Sequence, residues 1–132
     1  MAAAANRSTV PSGTGESIFS DCPGRDILNR LTSRWAPLIL LALVGGALRF
    51  HILRGRIEGI SEKMLSQTLQ MLARDGFVHR EVRPTVPPQV SYRLTPLGAE
   101  AAAALQSLVN FLRDRTAQVL AARQVFDGEL PV

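Results

Sequence analysis

Residues 60–76 read ISEKMLSQTLQMLARDG, and this stretch decides the fold. Ser61 is a favourable N-cap residue, and Ile60 before it and Leu65 after it are spaced to form a hydrophobic staple. Gly76 has the conformational freedom that is needed just beyond the C-terminus of a helix. Apolar residues recur between these ends at helical spacing: Leu65, Leu69 and Leu72. The stretch therefore predicts an amphipathic helix whose leucine face packs against a core.

The face opposite the leucines is polar and rich in hydrogen-bonding groups. Its residues are Lys63, Ser66, Gln67, Gln70 and Arg74. A glutamine offers a donor and an acceptor to the edge of adenine, a lysine or arginine donates to guanine, and a serine can contact base or phosphate. A polar face is also typical of helices that contact only water, so this helix alone leaves both interpretations open.

The segments before this helix predict the arrangement in which it lies. A short helix is expected over about 50–57, and residues 58–60 form a brief link to the next helix. Two helices joined by so short a turn are typical of a helix-turn-helix unit. Two further helices are expected over about 25–31 and 35–44, and Gly45-Gly46 ends the second of them.

The segments after this helix predict a β-hairpin. Residues 78–83 and 90–95 alternate apolar and polar side chains on either side of a proline-rich loop over 84–89. A hairpin that follows a helix-turn-helix unit is a wing, and this one carries Arg80, Arg83 and Arg93. Such arginines are suited to contact phosphate or the minor groove, although solubilising charge would have the same composition. Arg49, just before the short helix, is placed either to anchor a phosphate or to form a surface salt bridge.

The last predicted helix is long. Thr95 and Pro96 are a capping residue and a first-turn proline, and the helix is expected to run to about Arg123. Its apolar side includes Leu97, Leu105, Leu108, Phe111, Leu112 and Val119.

These elements give a domain organisation. Residues 1–20 contain few apolar side chains and are expected to be a disordered tail. Residues 21–125 are expected to form one winged helix-turn-helix domain that includes the long helix over about 96–123. Residues 126–132 are expected to be a flexible end. The predicted fold class is therefore mainly α with a small β-hairpin.

Charge and composition indicate which class of molecule the protein binds. The chain has a formal net charge of +4, and residues 25–93 carry eleven basic against five acidic side chains, so the positive charge lies in the winged helix-turn-helix part. The single cysteine, Cys22, excludes an intramolecular disulfide and indicates a reducing cytoplasm. No signal peptide is recognisable. The apolar run over 35–44 is about half of the ~20 residues that span a bilayer, so no membrane partner is expected.

The sequence gives less support to three other interpretations, namely an enzyme, a protein-contact module and an effector-binding site. His51 and His79 are the only histidines, and no spacing of polar residues indicates a metal site or a nucleophile–base pair, so an enzyme is not expected. A winged helix used only for protein contacts would not need the arginine surplus. A small-molecule effector site is a third alternative, in a cavity lined by Trp35, Phe50, Tyr92 and Phe111, although these residues also suit the core.

The sequence resembles the HxlR-type regulators, bacterial winged helix-turn-helix proteins related to the MarR type. The resemblance runs from Cys22 to about Phe111. The matching pieces are Cys22-Pro23, Arg34-Trp35, Leu48-Arg49-Phe50, Ile60 to Leu65, Leu69 to Gly76, Val86 to Tyr92 and Leu94 to Gly98. The sequence departs from the family at residues 32–35, which read Thr-Ser-Arg-Trp where the family commonly has Gly-Gly-Lys-Trp. This difference lies in the turn between the first two predicted helices and does not change the residues that bind DNA.

The resemblance implies a function and an assembly. It implies a homodimer built from the N-terminal helix and the apolar side of the long helix, bound to a roughly palindromic operator on double-stranded DNA, most often as a cytoplasmic repressor that is nucleoid-associated when bound. It implies no cofactor. It implies that bases are read by Lys63, Ser66, Gln67 and Gln70. It also implies that the DNA backbone is contacted by Arg49 and the wing arginines. The full predicted DNA-binding set is Arg49, Ser61, Lys63, Ser66, Gln67, Gln70, Arg74, Arg80, Arg83 and Arg93.

Some members of this family sense oxidants or electrophiles through a cysteine at the position of Cys22. The neighbouring Arg25 and a position near the start of a helix favour the thiolate form that such sensing needs. The alternative is an ordinary cysteine packed in the dimer interface. With one cysteine in the chain, a sensing disulfide has to join two subunits, or a small thiol has to cap Cys22.

Overall fold

The computed structural model describes residues 22–129, with the side chain of Cys22 excepted. The elements are helices α1 (Cys22–Leu31) and α2 (Ala36–Ala42), a 3₁₀ turn (Leu43–Gly45), strand β1 (Leu48–Arg49), helices α3 (Phe50–Arg56) and α4 (Glu62–Arg74), strands β2 (Val78–Arg83) and β3 (Gln89–Leu94), and helix α5 (Pro96–Glu129). This is the predicted winged helix-turn-helix order. The tail predicted over 1–20 lies outside the described residues.

The sheet has three strands, whereas the sequence predicted a two-stranded hairpin. The strand order is β1-β3-β2, and both pairings are antiparallel. In the pairing that was missed, Leu48 lies opposite Tyr92 and Arg49 opposite Ser91. A strand of two residues is too short to show period-2 alternation, and it forms because β3 offers it a free edge.

The ends of α4 are confirmed in detail. The Ser61 hydroxyl accepts a hydrogen bond from the backbone N–H of Met64 at 3.1 Å, and the staple residues Ile60 and Leu65 are both buried. Gly76 has φ +86°. The N–H of Phe77 donates to Leu72 O at 2.9 Å, which is the pairing of a Schellman C-cap. These local interactions make the position and length of α4 well defined.

The core is built around the apolar face of α4. The buried side chains of α4 pack with Ile39 and Leu40 of α2, Leu53 of α3 and Ala102 of α5. On α4 the buried residues are Leu65, Thr68, Leu69 and Leu72. Because the core lies on this one face, the opposite face of α4 is left pointing outward.

Helix α5 is longer than predicted and mostly uncovered. It continues to Glu129, past the expected end near Arg123 and into the segment expected to be flexible, because each added residue of an established helix gains a backbone hydrogen bond. Only Gly98 and Ala102 of α5 are buried. Leu105 is partly buried against the core, but Leu108 is 53% exposed and Phe111 55% exposed, so most of the apolar side that the sequence indicated has no covering partner within the described chain.

No single helix in the described part of the chain has both the length and the apolar composition to cross a membrane. The bent pair Pro23–Leu31 and Ala36–Gly45 satisfies the two criteria only when the helices are taken together. The second helix of that pair supplies the buried core residues Ile39 and Leu40.

Candidate nucleic-acid interface

The outward face of α4 presents the polar side chains that the sequence predicted. All five are exposed, while leucines on the other side of the helix are buried. They are Lys63, Ser66, Gln67, Gln70 and Arg74. Among the described residues no hydrogen bond or salt bridge engages any of these five side chains. Their donors and acceptors are therefore available to a ligand outside the protein.

A groove separates α4 from the wing. Ser66, Gln70 and Arg74 line it from α4, and Arg80 and Tyr92 line it from the sheet. The groove has a volume of about 610 Å³ and an apolar floor that includes Leu69. Arg80 is thus the wing arginine that lies beside the polar face of α4, and it forms one basic wall of the groove with Arg74 on the other side.

The other two wing arginines lie on the opposite face of the sheet. Side chains alternate between faces along a strand, so Arg83 cannot share the face of Arg80. Arg83 instead lines a cleft of about 240 Å³ together with Arg49, Gln89, Ser91 and the carboxylate of Glu81. The structure therefore places Arg80 on one face of the wing and Arg83 and Arg93 on the other.

Arg93 is set apart from both the groove and the cleft. It pairs with His79, at the end of the hairpin away from the loop. Its Nε lies 3.8 Å from Oε1 of Glu81, so its charge is already partly matched within the wing. Of the three wing arginines it has the weakest geometric case for a contact with DNA.

Arg49 is joined to the wing by a residue that the sequence analysis did not select. Its Nη2 donates to Oε1 of Gln89 at 2.9 Å, and Gln89 lies directly opposite Arg83 in the β2–β3 register. Of the two sequence interpretations of Arg49, a salt bridge to a carboxylate is not found among the described residues. Gln89 escaped notice because its role depends on the β1–β3 pairing, which leaves no trace in local sequence.

The turn between α3 and α4 is held by backbone geometry and one long ion pair. Gly59 has φ +87°, a conformation that side-chain-bearing residues rarely adopt. Arg54 Nη1 lies 3.9 Å from Oε2 of Glu62 in the first turn of α4. This pairing offsets a negative charge that would otherwise stand beside the polar face of α4.

The four aromatic residues considered for an effector cavity do not line one space. The rings of Phe50 and Tyr92 have centroids 6.5 Å apart, and Trp35 lies under the guanidinium of Arg34 at 4.6 Å. These three pack against the core, whereas Phe111 lies exposed on α5.

The remaining candidate groups for chemistry are isolated. His51 and His79 are both exposed, and no cluster of three or more metal-ligating side chains occurs within the described residues. Cys22 is the first residue of α1, and its side chain lies outside what the structure describes.

Comparison with known proteins gives a consistent result. The family model of HxlR-like helix-turn-helix proteins matches residues 30–119. The HTH-type transcriptional regulator YtfH of Escherichia coli K12 is 46% identical over 109 residues, which cover 83% of this chain and 86% of that protein.

Solved structures agree with this match. The transcriptional regulator ytfH from Salmonella typhimurium has a TM-score of 0.75 and 46% identity, over 82% of this chain and 97% of that one. The redox regulator HypR in its oxidized form has a TM-score of 0.65 and 30% identity, over 70% of this chain and 96% of that one.

Proposed function

The chain belongs to the HxlR-like helix-turn-helix family and is a transcriptional regulator; on this basis we propose that it binds a specific double-stranded DNA sequence as a homodimer. Its family and relatives are regulators and not enzymes, in agreement with the expectation from the sequence. In the proposed complex α4 is the recognition helix and lies in the major groove.

One observation carries this proposal. Helix α4 exposes five polar side chains that bond to no other described residue, the basic groove lies beside them, and the cleft lies on the far face of the wing. A face that only contacts water has no need for two arginine groups placed on either side of a neighbouring hairpin. A duplex needs both, because base edges are read within a groove and the phosphates on its rims carry the charge.

The geometry supports a division of roles. Lys63, Ser66, Gln67 and Gln70 read bases, and Ser61 at the N-terminus of α4 contacts the nearest phosphate, where the helix dipole also favours an anion. Arg74 and Arg80 hold the strand that passes over the groove between α4 and the wing.

The cleft on the other face of the sheet holds a second phosphate. Arg49 and Arg83 supply two positive charges against the one carboxylate of Glu81, and Gln89, which accepts from Arg49, lies opposite Arg83 in the register. Because the Oε1 of Gln89 is occupied by Arg49, its amide N–H groups are the part that serves a phosphate oxygen.

The homodimer is supported by the uncovered apolar side of α5. An exposed apolar stripe of this length is a liability for an isolated molecule and is typical of an interface. Its exposed residues are Leu97, Leu108, Phe111, Leu112 and Val119, while Leu105 of the predicted set is partly buried against the core. In α1, Ile27 and Leu28 are also exposed and would extend the stripe. A two-fold dimer presents two copies of α4, so the proposed operator is roughly palindromic and the proposed action is repression by occupying it.

The test begins by selecting an operator from a pool of random duplexes with the full-length protein. Binding to the selected duplex and to a random one is then measured by fluorescence anisotropy over a range of salt concentrations. Gln67→Ala is expected to lose about 1–3 kcal/mol on the selected duplex and little on the random one. Arg83→Ala is expected to weaken both and to reduce the salt slope by about one.

Matched controls are available on α5. Gln106→Ala removes a glutamine whose side chain, among the described residues, bonds to Asn110, and Arg113→Ala removes an exposed arginine far along that helix. Neither is expected to change the salt slope. Binding that shows no salt dependence would favour a protein-contact module instead, and equal losses for Gln67→Ala and Arg83→Ala on both duplexes would contradict the division of roles.

Redox control through Cys22 is supported by the similarity to the redox regulator HypR. Treatment of the wild-type protein with a thiol oxidant is expected to change its affinity for the operator, and Cys22→Ser is expected to abolish that response. If the oxidant changes neither protein, Cys22 does not sense that oxidant. If it changes both equally, the response is general damage.

A further inference from the structure

An ion pair joins α1 to the end of α4 across 45 residues of sequence. Nε of Arg30 donates to Oδ2 of Asp75 at 2.7 Å, and Nη2 donates to Oδ1 at 3.2 Å, so the contact is bidentate. The two side chains are 22% and 14% exposed. Arg30 also bonds to Asp26 one turn earlier in α1. The hydrogen bonds to Asp75, and then to Asp26, raise the pKa of the Arg30 guanidinium above its usual value.

Asp75 occupies a position that the helix it ends does not favour for a carboxylate. It is the C-cap residue of α4, and the negative end of the helix dipole disfavours a carboxylate there. An asparagine would cap the helix equally well without this cost. The carboxylate therefore acts through its contact with α1 and not through the helix that it ends.

The ion pair connects the two surfaces that the proposed function uses. Arg30 belongs to the helix that exposes Ile27 and Leu28 on the proposed dimer side. Asp75 directly follows Arg74, which lines the groove beside the wing. Among the described residues, the other salt bridges lie within α1, between α3 and α4, and within the wing. Arg30–Asp75 is thus the charged contact that ties α4 to an element of the proposed interface.

We propose that Arg30 and Asp75 are positioning residues that fix the recognition helix to α1 and so set the distance between the two recognition helices of the dimer. This rests on the proposed function, because it takes α4 as the base-reading helix and α1 as part of the interface. A fork of two parallel hydrogen bonds permits one relative orientation, which a single contact would not. Two half-sites are about 34–36 Å apart when they lie one helical turn from each other, so a small rotation of α4 misplaces one of them.

The chain offers a closely matched pair of variants. Asp75→Asn and Asp26→Asn both remove one carboxylate from Arg30 and raise the net charge by the same amount. Asp26 is 60% exposed and bonds to Arg30 within α1, so only Asp75→Asn breaks the link to α4. The change in net charge is therefore the same in both.

The experiment measures affinity for the selected operator, for a random duplex, and for operators with one base pair added or removed between the half-sites. We expect Asp75→Asn to bind the selected operator about tenfold more weakly and the random duplex about as well as the wild type. It should also discriminate less between the three spacings. Asp26→Asn should match the wild type throughout, and Arg30→Lys, which keeps the charge but loses the fork, should resemble Asp75→Asn.

The outcomes separate this inference from the proposed function. Wild-type protein that selects no duplex would overturn the proposed function itself. Wild-type protein that binds its operator while Asp75→Asn keeps both affinity and spacing preference would overturn the positioning role alone. Circular dichroism and thermal unfolding of each variant monitor folding; should Asp75→Asn unfold, Arg30→Lys gives the same comparison.

Discussion

Gly98 is the glycine at which the structure makes the sharpest prediction. It is buried in the first turn of α5, against the connection between α4 and β2. A β-carbon added there would overlap the carbonyl oxygen of Phe77 and lie 2.9 Å from its carbonyl carbon. The same carbonyl accepts a hydrogen bond from Thr95 N at 3.1 Å, so it cannot simply turn away.

The loss of stability expected for Gly98→Ala depends on which atoms must move to make room for the β-carbon. The obstacle is backbone and not a flexible side chain, so the cost belongs at the upper end of the ~1–3 kcal/mol seen for overpacked sites. A shift of α5 would also strain the hydrogen bond from Gly98 N to Thr95 Oγ1, which is 2.9 Å long and worth about 1 kcal/mol. Alanine has a better helix propensity than glycine, and this offsets about 1 kcal/mol of the destabilisation. We therefore expect Gly98→Ala to reduce the free energy of unfolding by about 3 kcal/mol.

Gly55 provides the matched control. It lies in α3 with nothing within 4 Å of an added β-carbon. Gly55→Ala should therefore stabilise the protein by about 0.5–1 kcal/mol. Urea unfolding followed by circular dichroism, at one fixed protein concentration, gives both values. The reasoning is refuted if the free energy of unfolding of Gly98→Ala lies within 0.5 kcal/mol of the wild-type value, or if the two substitutions shift stability in the same direction.

Three further predictions concern capping, the wing and assembly. Ser61→Ala removes the N-cap hydroxyl of α4 and should cost about 0.5–2 kcal/mol of stability in the same unfolding assay, while Ser61→Asp should preserve it. Arg93→Ala should weaken binding to any duplex much less than Arg83→Ala does, because Arg93 is already paired with Glu81; equal losses in anisotropy would show that the pairing is irrelevant. Phe111→Glu should shift the sedimentation coefficient towards that of a monomer, and an unchanged dimer would place the interface elsewhere.

Much of the architecture could be predicted because its signals are local. The N-cap at Ser61, the staple of Ile60 and Leu65, and the turn at Gly76 all act within a few residues of α4, and each is found as expected. The same holds for the exposed polar face of α4, since helical periodicity alone separates it from the leucines.

Where prediction failed, the deciding interactions join distant parts of the chain. Strand β1 exists only through its pairing with β3, and Gln89 matters only because that pairing brings Arg49 to it. The contact of Arg30 with Asp75 spans 45 residues and has no pattern in either helix.

The sequence by itself determined which segments become helices, where α4 begins and ends, and which side chains that helix turns outward, because backbone hydrogen bonding and apolar spacing are set by near neighbours. Only the tertiary structure decided that Arg49 shares a cleft with Arg83 and how α4 is tied to α1. Strand pairing and long-range ion pairs depend on which distant residues packing brings into contact, and local sequence patterns do not specify those contacts.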